Sequence, residues 1–206
     1  SFYAIDGVFL DQMNNAPSAL GYYANLTGQI HFALAGGIDG RVIGNAGTNV
    51  PESFVAVPGN LAADVIVTYE NELNSAGAPY LSTEPPAYAA GYPASQWSNI
   101  VYGIADVPTM LGALGVACQR NVGMVYFTDD ELPNPYDQMP SYWQTLIRAA
   151  GCVADFNCSR SVTVQDIFDF LTAYFRNDLL ADVNRDGAVG VQDIFDFLAS
   201  YFAGCV

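Results

Sequence analysis

The 206-residue chain has no lysine and a single histidine, and its six basic residues face 21 aspartates and glutamates, for a net charge of −15. That shortage of cations argues against nucleic acid or an anionic membrane as partner, because phosphate groups are bound by positive charge. A neutral or cationic ligand, or a metal ion, suits the balance better. No apolar run approaches the roughly 20 residues of a membrane span. No glycine-rich phosphate loop follows the first strand-like run, which weakens a nucleotide-binding reading. The four cysteines (Cys118, Cys152, Cys158, Cys205) are too few for a disulfide scaffold and lack zinc-site spacing. No signal peptide is visible, yet the chain opens on Ser1 rather than Met, so an upstream segment is expected. What the chain does carry is apolar material. It is 51% hydrophobic, with 13 Tyr and 12 Phe, which excludes a disordered chain and supports a real core.

Two unlike parts follow one another. Up to about residue 150, apolar runs rich in Val, Ile and aromatics lie at 3–11, 41–46, 63–70, 99–105 and 121–128, and each reads as a strand. Helical patterns occupy 18–35, 107–120 and 141–150, while 75–98 is a long loop rich in Pro, Tyr and Ser. Apolar strands alternating with helices predict a parallel sheet covered on both faces. Polar residues recur where the strands end: Asp11, Asn45, Glu70 and Asp129. In a closed (β/α)₈ barrel, catalytic groups stand at the carboxyl ends of several strands. Five strands cannot close such a barrel, so the expectation is a C-terminal part of one, with three strands upstream.

Asp11 and Glu70 sit on strands expected to lie two apart, where two carboxylates can face one substrate. A pair of carboxyl groups is the minimum equipment for glycoside hydrolysis. Acids at strand ends also serve simply to start solvated loops, and composition alone favours that reading. Trp97, expected in a loop, is a candidate for stacking on a sugar ring. Tyr69 and Tyr126 are candidates too, although strand alternation fits core burial equally well. His31, on an expected surface helix with no other histidine or acid cluster near it in sequence, is assigned no ligand role.

The runs DGVFLDQM, VIGNAGTNVPESF, ADVIVTYEN and VYFTDDELPNPYDQMPSYW, in this order and spacing, resemble the spherulation-specific family 4 (spherulin-4-like) proteins over roughly residues 3–145. The resemblance implies a (β/α)₈ barrel whose relatives in glycoside hydrolase family 135 cleave a galactosamine-containing polysaccharide. It also implies a fourth strand ending in Asp-Glu and a sixth ending in Glu, with these acids in the active site. Asp11 and Glu70 match those positions. Gln12 does not: it stands where the family has Glu, and an amide cannot ionise. Asn45 matches an Asn after the fifth strand, suited to a sugar hydroxyl, and Asp129 follows the eighth.

The last part is duplicated. Residues 154–175 recur at 181–202, an offset of 27, with 14 of 22 positions identical. In the second copy Asp182, Asn184, Asp186 and Asp193 fall at ligand positions of an EF-hand-type calcium loop, with Ala188 supplying a carbonyl and Gly187 the turn. Asp in the last position and one helix per loop resemble a dockerin. The first copy keeps Asp155, Asn157 and Asp166 but has Ser159 for the acid and Arg160 for the glycine, so weaker binding is expected there. Ile194, Phe195, Leu198, Tyr201 and Phe202 are expected to share the packing face of the last helix. A Cys152–Cys205 clasp is expected, with Cys118 and Cys158 free or unresolved, able to pair only if the tail docks on the barrel. Val164-Gln165 and Val191-Gln192 occupy the positions where dockerins meet cohesin partners, and read equally as helix-entry residues.

The combined expectation is an α/β chain: a partial barrel over 1–150 and a small all-α, dockerin-like EF-hand-type module over 151–206. The function expected is an exported, secreted or cell-surface glycosidase with structural Ca²⁺, a polysaccharide substrate and a cohesin-like or cell-surface partner. The rival is a non-catalytic carbohydrate-binding or attachment protein, supported by Gln12.

Overall fold

The computed structural model describes residues 5–34, 40–157, 159, 161–184 and 188–204. Five strands form one sheet: β1 (Gly7–Leu10), β2 (Arg41–Asn45), β3 (Val65–Glu72), β4 (Trp97–Tyr102) and β5 (Met124–Phe127). They lie in chain order and every pairing is parallel. Parallel neighbours need crossovers, and these are supplied by α1 (Leu20–Leu34) between β1 and β2 and α2 (Val107–Gln119) between β4 and β5. Helix α3 (Trp143–Ala150) follows β5. All five expected strands and three expected helices are present.

The central strands are buried on both faces, which is why Val65, Ile66 and Val67 run on without polar interruption. One core gathers Val42, Phe54, Ile66 and Trp97, and a second gathers Tyr80, Val101, Met110, Phe127 and Leu146. Each fully buried aliphatic side chain contributes roughly 1.5–3 kcal/mol. Helix α2 begins where Asp106 caps it, its Oδ1 accepting from Thr109 N at 2.8 Å. Helix α1 is tied down by Thr27, whose buried hydroxyl donates to Ala62 O, and by His31, whose Nε2 lies 2.8 Å from Asp64 Oδ2. His31 thus ties α1 to the segment just before β3.

One aromatic expectation is corrected, and one left open resolves to core burial. Trp97 is not in a loop: it opens β4, is 2% exposed, and donates its Nε1 to Ala89 O between Tyr88 and Tyr92. With so little of its ring reaching the surface, it cannot stack on a sugar. Tyr69 is likewise buried, its hydroxyl donating to the carbonyls of Glu72 and Ala78.

The tail holds α4 (Val164–Phe175) and α5 (Val191–Ala203), the same stretch of each repeat. Its core is its own, built around Phe170, Ala173, Ala181 and Phe197. Phe170 and Phe197, equivalent across the duplication, stack with centroids 4.3 Å apart and planes 2° from parallel. Ile194, Leu198 and Tyr201 pack here as expected. Phe195 and Phe202 do not: they are 61% and 80% exposed, as are their counterparts Phe168 and Phe175 at 59% and 80%. At 3.6 residues per turn the inward stripe runs 194, 197, 198, 201, leaving 195 and 202 off to one side. Cys118 and Cys152 are both disulfide-bonded, which corrects the expectation of a free Cys118. Cys158 and Cys205, on which the expected pairing turns, lie outside the described residues. No helix among the described residues is long and apolar enough to cross a membrane.

Candidate active site

At the carboxyl ends of β1, β2 and β3 three polar side chains meet. Asn45, the last residue of β2, is 3% exposed. Its Nδ2 donates to Asp11 Oδ1 at 3.0 Å and to Glu70 Oε2 at 2.5 Å. One amide nitrogen thus bridges two carboxylates from the strands on either side. The two acceptor oxygens can be no farther apart than those two bonds laid end to end. The other amide atom, Asn45 Oδ1, is buried and has no hydrogen-bond partner among the described residues. A buried acceptor without a donor is costly, and here it adjoins the carboxylate pair.

Local backbone geometry explains the convergence. Register pairs Leu10 with Gly44, so Asp11 leaves β1 beside Asn45. The chain after β1 turns through Gln12 at φ 52° and is then pinned by Met13 N donating to Asn45 O at 2.6 Å. After β2, Gly47 takes φ 63°, a conformation that favours glycine, and its carbonyl accepts from Glu70 N at 3.2 Å. In β3 the register against β4 slips between Val67 and Tyr69, which leaves Thr68 as an extra residue. That bulge re-aims the strand end, sending Tyr69 into the core and leaving Glu70 half-buried beside Asn45.

A fourth group reaches the site from the far side of the sheet. Tyr136, in the loop after β5, donates its hydroxyl to Glu70 Oε1 at 2.7 Å. Its ring meets Tyr126 edge-on at 6.0 Å, and Tyr126 in turn lies 6.3 Å from Trp143. Burial, and then the hydrogen bond to Glu70, push the Tyr136 phenol well above its ordinary value. Sequence reasoning assigned Tyr136 no role. The signal was present, since Asn-Pro-Tyr lies inside VYFTDDELPNPYDQMPSYW, one of the runs that carry the family resemblance.

The structure therefore brings Asp11, Asn45 and Glu70 together, adds Tyr136, and sets Tyr126 beside it. Gln12 is exposed and outside this hydrogen-bonded set. Asp129 is engaged elsewhere: its Oδ1 accepts from Ser141 N at 3.1 Å, fixing the entry to α3. Burial raises the Asp129 carboxyl, but hydrogen bonds from Ser141 outweigh it and hold the group below its usual value. A cleft of about 1140 Å³ at the opposite end of the strands runs between α2, the start of β5 and the tail. It contains none of the carboxylate site.

In the tail, Asp166 and Asp193 are fully buried. Asp193 accepts from Asn184 N at 3.2 Å and Gly190 N at 2.7 Å; Asp166 accepts from Asn157 N and Thr163 N at the same two distances. Among the described residues neither has a cationic side chain within ion-pair reach. Each buried carboxylate is satisfied by backbone amides of its loop and of the start of its helix, and among the described residues no group of three or more His, Cys, Asp or Glu stands where it could hold a metal ion. In the first loop Ser159 donates its N–H to Asp155 Oδ1 and Asn157 Oδ1, at 2.8 and 3.0 Å. Asp186 lies outside the described residues, as do Arg160 and Gly187.

A parallel α/β sheet with paired carboxylates at its strand ends is the arrangement of an α/β protein with its polar site at the carboxyl edge. A family profile described as spherulation-specific family 4 matches residues 2–150, and the chain belongs to that family. Among solved structures it is similar to Aspergillus clavatus Sph3, crystallised in complex with GalNAc, at 17% identity and a TM-score of 0.50. That match covers 71% of this chain and 57% of Sph3, so the chain spans little more than half of its structural neighbour. No curated protein matches it.

Proposed function

We propose that the sheet is the C-terminal arc of a (β/α)₈ barrel and that the protein is a glycoside hydrolase acting on a polysaccharide. The observation that carries this reading is the Asn45 amide bridging Asp11 and Glu70. It keeps the facing oxygens of two carboxylates no farther apart than two hydrogen bonds laid end to end, and a close pair is what the retaining class uses. In that chemistry one carboxyl protonates the glycosidic oxygen while the other attacks the anomeric carbon. Water then releases the sugar as the first residue takes a proton back. The unpartnered Asn45 Oδ1 supplies an acceptor for a sugar hydroxyl or amide N–H. GalNAc in the neighbouring structure supports a galactosamine-containing substrate, and a chain without lysine suits a neutral or cationic polymer.

The test is reducing-end release from galactosamine-rich polysaccharide by the full-length protein and its Asp11→Asn, Glu70→Gln and Gln12→Glu variants. Loss in the first two supports the hydrolase. Activity that emerges only in Gln12→Glu supports the second reading, a carbohydrate-binding or attachment protein that kept the barrel, which the exposed, non-ionising Gln12 favours.

The tail, on this reading, is a dockerin-like tether whose 182–193 loop binds Ca²⁺ through Asp182, Asn184, Asp186, Asp193 and the Ala188 carbonyl. The 155–166 loop binds more weakly, since Ser159 brings no charge. The repeated exposed residues Val164, Phe168, Val191 and Phe195 suit a cohesin-like or cell-surface partner, and the protein is placed outside the cell. Calorimetry with CaCl₂ on the full-length protein and on Asp182→Ala tests the metal assignment; equal heats from both would overturn it.

A further inference from the structure

The two carboxylates of the site are not held alike. Asp11 is exposed and is anchored on one oxygen by Asn45, whereas Glu70 is half-buried and gripped on both. Asn45 Nδ2 takes Oε2, and the Tyr136 hydroxyl takes Oε1 from a loop 66 residues further along the chain. A carboxylate anchored on one side still swings about its last bond; donors on both sides fix its plane as well as its place.

The loop that delivers Tyr136 is itself secured at both ends. Where it leaves β5, Gly103 N donates to Asp130 O and Ile104 N to Thr128 O, both at 2.9 Å. Where it enters α3, Asp129 accepts from Ser141 N, and the buried Tyr142 hydroxyl donates to Ile104 O at 3.0 Å. Between these anchors the Tyr136 ring leans edge-on against Tyr126 and remains 43% exposed. The phenol is thus a donor on a fixed mount, part of its ring open to solvent beside Glu70.

We infer that Tyr136 is the positioning residue for Glu70, orienting its carboxylate toward the anomeric carbon while leaving Asp11 free to exchange protons with solvent. The kinetic part of this inference rests on the hydrolase reading; the contact itself does not. A phenol ordinarily keeps its proton through neutral pH, and burial with the Glu70 hydrogen bond pushes this one higher still, so Tyr136 is present as a donor over the range in which a hydrolase works. Proper orientation within a site carries much of its rate, and a misplacement of about 1 Å costs about 100-fold.

Tyr136→Phe removes the hydroxyl and keeps the ring against Tyr126. In the full-length protein it is expected to lower kcat by about 10- to 100-fold while KM stays within about twofold. A residue that only staples the loop would move KM or thermal stability instead. A kcat within about twofold of wild type, or a loss carried by KM alone, overturns the assignment while the hydrolase reading stands. If the wild type itself turns over no polysaccharide, the hydrolase reading falls, and ¹³C-tyrosine NMR decides the contact. The Tyr136 resonance, identified by its absence in Tyr136→Phe, is expected to titrate at lower pH in Glu70→Gln than in wild type. An unchanged midpoint would overturn the proposal.

Discussion

The sheet and the tail both gather acids, by opposite means. In the tail the acids that wrap each loop lie within twelve residues of one another and are closed around by their own backbone amides. In the sheet Asp11 is 34 residues from Asn45, which is 25 from Glu70, which is 66 from Tyr136. The tail's acids are gathered locally, by one loop and the helix that follows it. The sheet site exists only while three parallel strands hold register and a bulge points the third. A local loop can be recognised from spacing; a site assembled across strands must be argued from topology.

The sharpest way to break this comparison is to remove one carboxylate. Asp11→Asn or Glu70→Gln is expected to lower turnover by about 10³-fold or more with the fold intact by circular dichroism. Asn45→Leu keeps the bulk but loses the bridge and leaves two acids adjacent without a shared donor. It is expected to cost turnover by about 10²-fold and to lower the melting temperature of the sheet region. Tail truncations are expected to leave the sheet site untouched. Phe170→Ala or Phe197→Ala opens the tail core, costs about 3–5 kcal/mol there, and shows as an early calorimetric transition at unchanged turnover. Calcium removal by chelator is expected to lower that same tail transition, more through the 182–193 loop than through 155–166.

The smallest effect belongs to Asp129. Its carboxyl is held below the ordinary value in the folded chain, so it stabilises above the unfolded value of about 3.9 and loses that contribution as pH falls through the lower folded value. Asp129→Asn should therefore melt earlier than wild type at neutral pH, with the gap closing only in strong acid. An unchanged gap from neutral to strong acid would show that Asp129 acts through packing.

Much of the fold was legible before any coordinates. Strands buried on both faces show as continuous runs such as Val65–Val67, and helix α2 shows as the helical pattern over 107–120. The tail duplication is readable because its identities fall on the helices that pack together. The failures are equally physical. Trp97 follows a run of loop residues, and only the packing of Tyr88 and Tyr92 around it reveals a strand start in the core. Phe195 and Phe202 look like core residues by type, yet helical phase turns them outward.

By itself, the sequence determined which residues are apolar, about where most strands and helices lie, and that two polar residues, Asp11 and Glu70, stand at or near the ends of apolar strands two apart. Those are properties of short stretches, set by local propensity and burial. Tertiary structure alone decided that Asn45 bridges the pair, that the slip at Thr68 turns Glu70 toward it, and that Tyr136 arrives from the far edge. Hydrogen-bond geometry within 3 Å depends on register and loop path, which no single stretch of chain contains.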